Sequence, residues 1–127
     1  MIALLAASAI VADDSDIDRL SKAAAACDRA AMTRAWKDEV TRHGDFIVSS
    51  LKEQAAIAAD RQALVERRRK SRGPGPAESE TVFAAAVTDL DDRQRALDDG
   101  RKLDGMRQDA MTYFRGQYLG QCNGRNL

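Results

Sequence analysis

From residue 15 onward, apolar residues recur every three or four positions, the spacing of a helix that buries one stripe. No stretch alternates apolar with polar as a half-buried strand does. The first stripe opens at Ile17 and Leu20, behind Ser15 and Asp18 in the spacing of a helix start, and runs on through Met32, Trp36 and Val40. Gly44-Asp45 offers a break, glycine being a common residue just past a helix end and aspartate a good cap for the next. The stripe resumes at Ile47, Leu51, Ala55, Ala58 and Val65, and stops at Gly73-Pro74-Gly75-Pro76, where no helix can continue. Beyond it, Pro76 suits a first helical position, with Glu78 and Glu80 in the opening turn where carboxylates favour the helix dipole. A second stripe follows through Phe83, Val87, Leu90, Leu97, Leu103, Met106, Ala110 and Tyr113. Gly100 and Gly105 interrupt that arm at a cost of about 1 kcal/mol each relative to alanine.

This pattern predicts an all-α fold, a long antiparallel helical hairpin of coiled-coil type that turns at residues 71–76. The two cysteines, Cys27 and Cys122, lie equidistant from the Pro74–Gly75 bond, so a hairpin folded there brings them face to face. The same register sets Trp36 opposite Tyr113, His43 opposite Met106 and Gly44 opposite Gly105. One residue either side of it, Val40 meets Ala110, Ile47 meets Leu103, Leu51 meets Leu97, and Val65 meets Phe83. A Cys27–Cys122 disulfide would close a loop of roughly a hundred residues, for which loop-closure entropy gives about 4–5 kcal/mol. The alternative is a compact four-helix bundle broken at Gly44 and Gly100–Gly105, which also brings the cysteines together. Beyond residue 12 there are roughly 25 large apolar residues, thin for a globular core but enough for a seam between helices.

Residues 1–12, Met-Ile-Ala-Leu-Leu-Ala-Ala-Ser-Ala-Ile-Val-Ala, are all apolar or small and give way to Asp13-Asp14. A dozen such residues fall short of the roughly 20 that a bilayer span needs, and Ala7-Ser8-Ala9 has the small-x-small form found before a signal cleavage point. The segment reads as signal-peptide-like, followed by a single helical domain at 13–127. It lacks a basic leading region, as it would if translation began upstream. Export agrees with a cysteine pair, because disulfides persist in oxidising compartments, and the expected location is periplasmic or secreted. Lipid attachment at Cys27 fits poorly, since Asp18 and Lys22 interrupt the apolar run it requires.

Charge narrows the function classes. Charged residues make up 31% of the chain and the net charge is zero, so no global field attracts nucleic acid or a membrane. The local exception is Arg67, Arg68, Arg69, Lys70 and Arg72 beside the turn, a basic tip that would suit a protein or an anionic envelope component. No aromatic residue interleaves with these cations, which argues against specific nucleic-acid binding. Cations at a helix C-terminus also serve the dipole alone. The acidic residues Asp89, Asp91, Asp92, Asp98, Asp99 and Asp104 alternate with Arg93, Arg95, Arg101 and Lys102, a self-neutralising surface rather than a cation site.

Catalytic signals are sparse. His43 is the only histidine, with no motif to orient it and Glu39 and Asp45 as its nearest carboxylates in sequence. With both thiols committed to a disulfide, no metal site or cofactor is expected, and there is no phosphate-cradling loop or nucleophile motif. Trp36, Tyr113, Phe114 and Tyr118 gather near the cysteine end, as core around the staple or as a patch for a partner or a second copy. The expectation is therefore an exported, disulfide-stapled binding or scaffolding module, not an enzyme. The alternatives are a membrane-anchored envelope accessory protein that keeps its N-terminal segment and, less favoured, an enzyme.

Overall fold

The computed structural model describes residues 13–74 and 78–122. The signal-peptide-like segment at 1–12 and Pro76 lie outside the described residues. Among those described the protein is all-α, with helices α1 (Asp13–Ala25), α2 (Arg29–Ser71) and α3 (Glu80–Gln121). The long antiparallel helical hairpin is formed by α2 and α3, of 43 and 42 residues. Neither arm breaks at Gly44, Gly100 or Gly105, so the four-helix alternative is not adopted.

The structure does break where the apolar stripe gave no hint, between α1 and α2. There Cys27 has φ 51°, the left-handed conformation that glycine usually supplies at a helix end. Its N–H donates to the Ala24 carbonyl and the Asp28 N–H to the Ala23 carbonyl, the two reversed bonds that close a helix C-terminus. Asp28 then caps α2, its carboxylate accepting from the Ala31 N–H at 3.0 Å. One cysteine thus ends α1 while its neighbour begins α2.

The far turn is closed by short-range bonds as well. The Arg72 and Gly73 N–H groups donate to the Arg69 and Lys70 carbonyls, and a Cβ on Gly73 would press to 3.2 Å from the Lys70 oxygen. Ser71 Oγ accepts from the Glu78 N–H across the connection. The α3 helix starts at Glu80, with Ser79 Oγ accepting from the Val82 N–H.

The chain forms two compact units, Met1–His43 with Leu103–Leu127, and Gly44–Lys102. In the first, α1 packs on the adjoining parts of α2 and α3 around Leu20, Ala23, Ala24, Met32, Met111, Tyr118 and Cys122. Its alanines let the helices approach closely. The second unit is a two-helix seam of Ile57, Leu90 and Leu97 with Leu64 beside them, and Phe83 is buried near the turn.

That seam corrects the expected facing pairs. Phe83, Leu90 and Leu97 are buried as expected, but Val40, Leu51 and Val65 are 59%, 64% and 64% exposed. The α2 helix is rotated so that Ser50, Gln54 and Ile57 face inward, one position from the apolar stripe. Polar pairs make up the difference: Gln54 and Gln94 exchange reciprocal amide bonds, and Arg93 bridges Glu53 and Asp60. A Cβ at Gly44 or at Gly105 would meet nothing within 4 Å.

Candidate functional site

The disulfide is formed as the equidistance from the turn predicts. Cys27 and Cys122 bond across a sequence separation of 95 with their Cα atoms 5.6 Å apart. It joins the α1–α2 turn to the end of α3 within the first unit, and Cys122 is fully buried.

The basic tip is largely engaged with its own surroundings. Arg67 forks onto Glu78, Arg68 reaches Glu80, and Arg69 pairs with Glu66 one turn back. Arg67 and Arg68 also sit over the Phe83 ring at 5.6 and 5.8 Å. The Arg67 bonds hold the Glu78 carboxyl below its ordinary value. Glu80 stands in the first turn of its own helix as expected and also pairs with Arg68, while Glu78 lies just before that helix and answers Arg67. Lys70 and Arg72 are exposed.

A more organised polar cluster lies inside the first unit. Glu39, only 6% exposed, accepts from Arg42 Nε and Nη2 at 2.9 and 2.6 Å, from Arg107 Nη2 at 2.7 Å and from Gln108 Nε2 at 2.8 Å. Asp104 accepts from Arg42 and lies 2.8 Å from His43 Nδ1, without the alignment of a hydrogen bond. Burial works against the Glu39 charge, but the bonds from Arg42 and Arg107 outweigh it and hold its carboxyl below the ordinary value. The bonds to Glu39 and Asp104 push the Arg42 guanidinium upward against its own desolvation.

The apolar pattern does not mark this cluster, although its signal is in the chain. Glu39, Arg42 and His43 on α2, and Asp104, Arg107 and Gln108 on α3, repeat one spacing of positions three and four apart, which puts each trio on one helix face. Within the cluster the charges answer one another. His43 meets one carboxylate, and that carboxylate is shared with Arg42. No group of three or more metal-ligating side chains occurs among the described residues.

Besides a small concavity of about 90 Å³ beside His43, two larger ones flank this unit. A cleft of about 220 Å³ lies over the Glu39–Arg107 pair, and its acids and bases neutralise one another through Arg19–Asp16 and Arg42–Glu39. A shallower groove of about 380 Å³ lies between the first turns of α2 and the last turns of α3. Its floor is Met32, Trp36, Tyr118 and Leu119, and Arg29, Lys37 and Arg115 stand around it. The Arg115 guanidinium lies 5.3 Å from the centre of the Trp36 ring. Trp36 and Tyr113, expected face to face, separate: Trp36 takes Arg115, and Tyr113 meets Phe114 edge-on with ring centres 5.2 Å apart.

Among the described residues no helix is long and apolar enough to cross a membrane. Comparison of the chain with protein-family models, with curated proteins and with solved structures found no match, so the assignment of function rests on the residues themselves.

Proposed function

We propose that the protein is an exported, disulfide-stapled helical module that works by binding, in the periplasm or outside the cell, and not by catalysis. The observation that carries this reading is the Cys27–Cys122 bond, because structural disulfides form and persist in oxidising compartments and are rare in reducing ones. The signal-like composition of residues 1–12 supports it from the sequence. Non-catalytic action is favoured because the His43 neighbourhood is consumed by internal ion pairs and both thiols are bonded. The partner class is a protein or an anionic envelope component. Arg67, Arg68 and Arg69 hold partners within the chain, so at the tip Lys70 and Arg72 remain the cations to present, and the larger surface is at the stapled end.

The test is fractionation of producing cells with N-terminal sequencing of the protein recovered. Export predicts material outside the cytoplasm that starts near residue 10 or 13. Protein held in the membrane with residues 1–12 attached would favour the anchored accessory reading, and protein confined to a reducing cytosol would refute export.

A further inference from the structure

We propose that the groove between the first turns of α2 and the last turns of α3 is a binding site for a small amphipathic organic anion, one acidic head on an apolar body. The proposal deepens the binding-module reading and rests on it. Three features of the first unit converge on this ligand class. The groove has a volume of about 380 Å³, within the range of about 300–1,000 Å³ typical of small-molecule sites. Its floor is apolar, and Trp36 and Leu119 remain 38% and 37% exposed where the rest of the local core is covered.

The third feature is charge. Among the described residues, Arg29, Lys37 and Arg115 line the groove and no carboxylate does. This is unusual in a chain with equal numbers of acids and bases, whose other arginines repeatedly find acidic partners. The neighbouring cleft, with Asp16, Asp38 and Glu39 among its walls, shows the contrast. A ligand whose apolar body lies on Trp36 and Leu119 and whose head meets the cations would supply an anion that the described lining does not. Arg115, already over the indole ring, is placed to contact both parts.

Trp36 is the only tryptophan and lines this groove, so its emission reports on binding there. It also borders a smaller concavity beside His43, from which the Arg29 and Lys37 substitutions distinguish the groove. The full mature protein is titrated with decanoate below its micelle concentration, beside decanol and decyltrimethylammonium, with calorimetry in parallel. The expected result is a saturable change in Trp36 emission with decanoate, about fivefold or more tighter than with decanol and weakened by salt, with no saturable response to the cation. The double variant Arg29→Gln/Lys37→Gln leaves the Trp36–Arg115 contact in place, and it should weaken decanoate about fivefold while leaving the helical circular dichroism unchanged.

Absence of binding by both methods would overturn the proposal, as would equal affinity for decanol or an unaffected double variant. Sedimentation provides a further outcome. A ligand-free dimer that Leu119→Arg dissociates would assign the groove to a second copy of the chain and overturn the proposal too. Export and disulfide state, measured on the same protein, stand or fall independently of these results.

Discussion

Replacing Glu39 by Gln removes the one negative charge that Arg42 and Arg107 both bond, in a place where the Glu39 and Arg107 side chains are only 7% and 9% exposed. A buried charge left without its counter-charge costs about 3–5 kcal/mol. Arg42 retains Asp104, Arg107 retains a longer approach of 3.9 Å to Asp16, and glutamine still accepts a hydrogen bond. The expected loss is therefore about 2–3 kcal/mol at pH 7, the scale of one or two charged hydrogen bonds. In urea unfolding followed by helical circular dichroism this lowers the midpoint by roughly 1–2 M.

The sign of the pH dependence follows from the lowered carboxyl. Its folded-state value lies below the ordinary 4.5, so the stabilisation is fully present above about pH 4.5 and is lost as pH falls through the folded-state value. The gap between parent and variant should close in strong acid. The double variant Glu39→Met/Arg107→Met, which removes both charges, should cost well below the sum of the single changes. A Glu39→Gln midpoint unchanged at pH 7, or a gap of the same size in acid, would refute the claim that this pair is a buried, coupled ion pair.

Other outcomes follow from the backbone and the turns. Gly44→Ala and Gly105→Ala should each stabilise by about 0.5–1 kcal/mol in the same assay, because both positions are helical and a Cβ there meets nothing within 4 Å. If either destabilises, that glycine has a packing role. With the staple removed, Cys27→Gly/Cys122→Ala should be about 1 kcal/mol more stable than Cys27→Ala/Cys122→Ala, since only glycine adopts φ 51° at little cost. Phe83→Ala should cost about 3–4 kcal/mol, as it empties the buried ring site beneath Arg67 and Arg68.

The sequence makes the helical fold and the far turn plain, because period and punctuation are local signals: apolar spacing for one, Gly-Pro-Gly-Pro for the other. The cysteine pairing follows from them by symmetry about the turn. The rotation of α2 does not follow. Val40, Leu51 and Val65 look like a seam, yet the inward face carries Ser50 together with Glu39 and Gln54, and for the latter two the cost of burial is offset by partners on α3 that are distant in sequence. Gly44 resembles a helix end because glycine is poor in helices by about 1 kcal/mol, a preference that packing along a 43-residue helix overrides. The real break hides at Cys27 because the left-handed position holds a cysteine, leaving Asp28 as the only local sign. The groove joins residues almost ninety positions apart, so only the fold brings its cations together.

The staple carries the account, and alkylation of the exported protein before and after reduction, read by intact mass and peptide mapping, tests it most directly. The prediction is a monomer that takes up no alkylating reagent until it is reduced, then takes up two groups, and yields one crosslinked peptide pair containing Cys27 and Cys122. Reduction should also lower the urea midpoint by the equivalent of about 4–5 kcal/mol while the helical signal in water persists. Cysteines that alkylate without reduction, or a crosslink joining two chains, would contradict it.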